Sequence, residues 1–205
     1  MAEVKNINAL SMESIDLDEV YQQPEQGKIL MNDDIVFVMG GHLQNTRFLL
    51  EGKIYQMVEP RLILALKGHA DICVNLQDCH VEKGSVMLLP TDTIVEIKEI
   101  SEDARVVAIV FRDGMDIMDE IVVSTSPSEF ARLMRIVYLA WDFIQIKPYR
   151  TKTIQNLLQS IVTDIQYLSD LEEGNTKHDS TSHLHDLFLQ FKRLVHRHCT
   201  HERSI

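Results

Sequence analysis

Nine histidines, three cysteines and a surplus of carboxylates are the groups in this 205-residue chain that could bind a metal or move a proton. Two side chains share one face of a strand when a single residue separates them, so a His-x-His pair on a strand could hold one metal ion. His69 and His80 each stand alone, and the run "DICVNL" between them holds neither a histidine pair nor a glutamate. His183/His185 and His196/His198 do have that spacing, but on a helix residues two apart point about 200° away from each other. His198 and His201 are one helical turn apart, with Cys199 close by; a solvated histidine-rich surface explains them more simply than zinc. Cys73, Cys79 and Cys199 are odd in number and form no CxxC, the usage of free thiols in a reducing, cytoplasmic setting. Asp33/Asp34 and Glu102/Asp103 fall in expected turns, where solvation accounts for them. No GxSxG, P-loop or GxGxxG is present. No nucleophile or general base is assigned, so the expectation is a protein that is not an enzyme and needs neither metal nor cofactor.

The elements that would carry these groups change character along the chain. Between about 29 and 112 lie "ILMNDDIVFVMG", "RFLLEGKIYQMV", "RLILALKG", "DICVNL", "SVMLLP", "TIVEIKEI" and "RVVAIVF". These runs are rich in Val and Ile, alternating or continuously apolar, and broken by Gly, Asp, Asn or Pro, the pattern of an all-β sandwich or small barrel. Turns are expected at Gly68 and Gly84, and a strand end at Pro90. Alternation places Ile63 and Ala65 on one face, with Ile97, Val106 and Ala108 as neighbours and Gln77 near the rim. An apolar or aromatic effector suits such a lining, and so does a filled core with no ligand.

After Gly114 the period becomes helical. In "SPSEFARLMRIVYLAWDFIQI", Ser126 or Ser128 can cap, Pro127 can open the helix, and Glu129 sits in the first turn. Phe130, Leu133, Met134, Val137, Trp141 and Ile144 form one stripe. Ile136, Leu139, Ala140, Phe143 and Ile146 form another, so the helix should be sandwiched. Pro148 breaks the pattern, and a second helix over about 151–171 carries Ile154, Leu158, Ile161, Ile165 and Leu168 at heptad spacing. Leu157 and Val162 widen that face, which predicts a homodimer seam. "EEGNTKHDSTS" reads as a linker with Gly174 as C-cap. Leu184, Leu187, Phe188, Phe191, Leu194 and Val195 then form one more amphipathic stripe.

Charge divides the chain. Residues 1–172 hold 15 Lys and Arg against 27 Asp and Glu, a balance of −12; residues 173–205 hold 5 against 4 and six of the nine histidines. So acidic a body repels phosphate backbones. No run approaches the ~18 apolar residues of a membrane span, and the first twenty residues lack a secretory pattern.

Several of these features together resemble the N-terminal half of AraC-type transcriptional regulators, in particular a Bacteroidetes-like branch. The resemblance rests on a strand ending in Lys67-Gly68, the next run ending in Asn75-Leu76, "LLP" at 88–90, and "ISED" at 100–103 before an apolar strand. "FLQFKRLVHRHCTHERSI" looks like the helix that leads into that family's DNA-binding domain. The resemblance implies an α+β fold, a cupin-like β-barrel or jelly roll followed by two or three α-helices. It divides the chain into an effector-sensing barrel (1–114), a helical dimerisation element (115–172), and a linker and first helix (173–205) leading to a DNA-binding domain not contained here. It implies a homodimer that reaches DNA only through that further domain. The competing class is a cupin-fold isomerase or dioxygenase, against which the absent histidine pair argues.

Overall fold

In the sequence "RLILALK" every second residue is apolar, and so is every residue between. Such a strand must be buried on both faces. In the computed structural model it is β5 (Arg61–Lys67), inside a six-stranded sheet, and it pairs with β10 (Arg105–Phe111) through Ala65↔Val106 and Ile63↔Ala108. The structure describes residues 6–14, 28–42, 49–112, 115, 117 and 119–175. The six-stranded sheet also contains β2 (Lys28–Met31), β3 (Ile35–His42), β8 (Ser85–Leu89) and β11 (Ile121–Ser124), in the order β11-β8-β5-β10-β3-β2. A five-stranded sheet is built from β1 (Ile7–Leu10), β4 (Ile54–Met57), β6 (His69–Val74), β7 (Gln77–Glu82) and β9 (Ile94–Ile100), in the order β1-β4-β9-β6-β7. Two helices follow, α1 (Pro127–Ile144) and α2 (Thr151–Asn175). The fold is thus α+β as expected, a two-sheet sandwich with helices behind one sheet.

Period-2 alternation sorts the β5 and β10 side chains between two cores. Leu62, Leu64, Val107 and Ile109 face the helices, with Val86 and Leu88 of β8 beside them. Ala65, Met87, Leu89, Val95 and Ile97 belong to the core between the sheets. A one-residue slip in either strand would exchange the two sets.

The turns have chemical reasons. Asn75 and Leu76 both take positive φ (45° and 72°), the geometry of a tight two-residue hairpin between β6 and β7. Asn75 Oδ1 fixes it by accepting the Ile94 N–H at 3.0 Å. The strand expected through Leu76 therefore stops at Val74. Gly68, at φ +73°, packs so tightly on the 101–104 turn that a Cβ would lie 2.6 Å from the Ala104 Cα. His69 N–H donates to Ser101 Oγ and Ser101 N–H donates to the His69 carbonyl, both at 2.9 Å, which locks the two turns together.

Ser126 caps α1 in a reciprocal box with Glu129: the Glu129 N–H donates to Ser126 Oγ, and the Ser126 N–H donates to the Glu129 carboxylate. Leu133, Met134, Val137 and Ala140 are buried, and Trp141 meets Phe37 of β3 edge-on at 5.2 Å. Arg132 holds Asp164 of α2 with three hydrogen bonds of 3.0–3.2 Å.

Three expectations are corrected here. The seam of Ile154, Leu158, Ile161, Ile165 and Leu168 is not a free surface; it is buried within the single chain against α1 and the six-stranded sheet, with Ile161 at 0% exposure. The β-structure continues past 114, since β11 pairs with β8 through Val123↔Val86. The last helix runs through Gly174 to Asn175, so Gly174 does not end it. The stripe over 184–195 and the histidines at 183–201 lie outside the described residues.

Candidate functional site

Ile63, Ala65, Ile97, Val106 and Ala108, grouped from alternation alone, line a single cavity between the two sheets. Its volume is about 130 Å³, and most of its remaining wall is also aliphatic: Leu10, Met57, Ile72, Val81, Met87, Leu89, Val95 and Val110. Gln77 is not among them. It opens β7, exposed, opposite Val74. The two-residue turn carries it around the end of the hairpin and away from the sandwich interior, so the polar rim expected from it does not exist there.

Why a space is left between the sheets follows from the residue sizes. Where β5, β6 and the 101–104 turn converge, the wall is made by Ala65, Ala70 and Ala104 beside Gly68. The three alanines are too short to reach across sheets that lie about 10 Å apart, and Ile100, the partner of Ala70 on β9, lines the same end. A void of this size costs about 3 kcal/mol in forgone packing, at roughly 24 cal/mol per Å³.

Arg61, seen in the sequence only as the start of a strand, closes one end. It is 7% exposed and lines the cavity. Its Nη2 donates to the Leu10 carbonyl at 2.9 Å and lies 3.8 Å from Glu59 Oε2. Burial pulls its pKa down to about 10, while the Glu59 carboxylate pushes the other way, so the guanidinium stays charged at neutral pH. Glu59 also accepts from Ser11 Oγ at 2.8 Å and from the Met12 N–H at 3.1 Å. One buried ion pair thereby fastens β1 and the short 3₁₀ turn Met12–Ser14 over the end of the cavity.

At the other end the lining reaches the surface at Lys67 and His69. Lys67 Nζ is 3.2 Å from Asp103 Oδ2, with both side chains more than half exposed. Hydrogen bonds from Lys67, and then from Ser101, hold the Asp103 carboxyl below the usual range.

His69 and His80 do not stand alone. The β6–β7 register sets His69 opposite Glu82 and Asp71 opposite His80, and the two imidazoles stack with centroids 5.8 Å apart. Asp71 Oδ1 is 2.6 Å from His80 Nδ1 and raises the His80 pKa. The pairing is invisible in the sequence because it depends on the tight turn at Asn75-Leu76. Among the described residues, no group of three His, Cys, Asp or Glu could hold a metal ion. The same register sets Cys79 opposite Ile72 and Cys73 opposite Asp78, so the two thiols point to opposite faces of the sheet. Burial raises both thiol pKa values, which keeps them protonated and unreactive.

Chemically, this arrangement can enclose a small apolar body and present charge at its ends. No helix among the described residues is long and apolar enough to cross a membrane. No protein-family model matches the chain, and no curated protein matches it. Among solved structures it is similar to an apo variant of ToxT from Vibrio cholerae, at 13% identity over 81% of this chain and 65% of that one, with a TM-score of 0.42. It is similar to unsaturated fatty acid bound wild-type ToxT from Vibrio cholerae, at 14% identity over 81% and 64%, TM-score 0.39. It is also similar to a cupin-2 domain containing protein from Shewanella frigidimarina, at 14% identity over 49% of this chain and 96% of that one, TM-score 0.31. The chain spans less than two thirds of the length of these two ToxT chains.

Proposed function

We infer that this chain is the effector-sensing half of an AraC-type transcriptional regulator, and that the cavity between its sheets takes a small apolar or aromatic effector. The observation that carries this reading is the cavity itself. A void walled by Ile63, Ala65, Ile97, Val106 and Ala108 is costly when empty, and an apolar guest recovers that cost. The wall offers few hydrogen-bonding groups, which suits an apolar guest and not a sugar. Specific DNA contacts would come from a further domain, since the −12 body repels the duplex. Self-association belongs to the same reading, through a surface other than the buried α2 seam.

A fusion of the chain to a heterologous helix-turn-helix domain that binds its operator only as a dimer tests this directly. The expected result is operator occupancy restored by the fusion and altered several-fold by an apolar guest. A fusion that is folded but leaves the operator empty, with and without guests, contradicts the reading.

A further inference from the structure

A guest enters the space between the sheets only where the wall can part, and the wall is held in different ways along its length. Ile63 and Val106 sit on β5 and β10, each of which has a bonded strand on both sides. Opening there would break a row of main-chain hydrogen bonds. The Arg61 end is fastened by the ion pair with Glu59 and the bond to the Leu10 carbonyl. Gly68 and Ala104 lie in turns, but the two 2.9 Å hydrogen bonds between His69 and Ser101 tie those turns together. Leu49 is different. It lines the cavity and packs on the core between the sheets, yet it belongs to no strand.

The ties of this segment change at Gly52. From Gly52 onward the main chain is bonded to β9: the Gly52 N–H donates to the Ile97 carbonyl at 2.7 Å, and the Ile97 N–H donates to the Lys53 carbonyl at 3.1 Å. Before Gly52, side chains do the holding. Glu51 Oε1 accepts the Ile100 N–H at 2.9 Å, and the Tyr55 hydroxyl accepts the Leu50 N–H at 2.8 Å. Pairing of β4 with β9 stops at Ile54↔Glu96, so the Glu51 carboxylate serves a stretch of β9 that β4 does not reach. Gly52 itself has φ +73°, and a Cβ there would meet nothing within 4 Å, which gives a pivot with room around it. Resting on the reading of the cavity as an effector site, we propose that residues 49–51 are its gate. They swing about Gly52 when the Glu51 and Tyr55 ties release, which withdraws Leu49 from the wall and admits the guest. Two hydrogen bonds and one half-buried side chain hold the gate shut, so it opens far more often than the domain unfolds. The same opening serves entry and exit, so the gate sets rates and not affinity.

NMR exchange measurements on the full chain with toluene, read at the Ile63 and Val106 methyls, give the association and dissociation rates that test this. Glu51→Ala should raise both rates about tenfold, the worth of one hydrogen bond, and leave the dissociation constant unchanged. Tyr55→Phe removes the other tie and keeps the ring; it should act in the same direction, and it replaces Glu51→Ala should that variant misfold. Ser101→Ala, which breaks the tie between the two turns at His69, should leave both rates as they are. Rates unmoved by Glu51→Ala and Tyr55→Phe, or raised by Ser101→Ala instead, overturn the gate while the cavity still binds. Faster dissociation with an unchanged association rate makes Leu49 a fixed part of the wall and overturns it equally. Absence of toluene binding by the unaltered chain overturns the effector-site reading itself.

Discussion

His80 and Arg61 show how much the neighbours of one residue decide. The Asp71 carboxylate favours the charged form of His80, so its folded-state pKa lies above that of a free histidine. The resulting contribution to stability is fully present below the ordinary value near 6.5 and is lost as pH rises through the raised value. NMR titration should give His80 the higher midpoint, and Asp71→Asn should bring it down; an unchanged midpoint would mean that the 2.6 Å contact does not persist in solution. Arg61→Met should cost about 3 kcal/mol in denaturant unfolding, because it strands Glu59 and removes the donor to Leu10. The loss should also free β1, seen as faster hydrogen exchange at Ala9 and Leu10. At this scale the sequence was legible where alternation governs, as for Ile63, Ala65, Ile97, Val106 and Ala108. It was not legible for Arg61, whose role depends on Glu59 and on a main-chain carbonyl 51 residues away, nor for Gln77, whose position depends on an unexpected turn.

Among the elements, the strongly apolar strands and both helices could be read from their period, and the Ser126–Glu129 cap from its spacing. β1, β7 and β11 could not. "INAL" and "IVVS" are too short to show a period, and "QDCHVE" buries only Val81. The α2 seam was correctly apolar but wrongly partnered. Heptad spacing shows that a stripe is buried, not by what, and here α1 and the six-stranded sheet cover it. Ile161→Asp should therefore unfold the domain and not yield a folded monomer, since an unpaired carboxylate at a site with 0% exposure costs about 4 kcal/mol or more. Circular dichroism showing native helix content and an unchanged midpoint in that variant would contradict this packing.

For the whole molecule, self-association through the helices would use what they leave outside: Tyr138 and Leu139 of α1, Tyr167 and Leu171 of α2, each at least 45% exposed. Leu139→Glu combined with Tyr167→Glu should convert a dimer into a monomer in sedimentation velocity with little change in unfolding midpoint, because neither side chain belongs to the core. The central claim, that the space between the sheets is a binding cavity, is tested most directly by methyl NMR of the chain titrated with toluene. Saturable shifts are predicted at Ile63, Ile72, Ile97 and Val106, with Ile154 and Ile161 behind the six-stranded sheet unmoved. Methyl groups of the sandwich that stay still up to the solubility limit, or shifts spread equally through both cores, would contradict it.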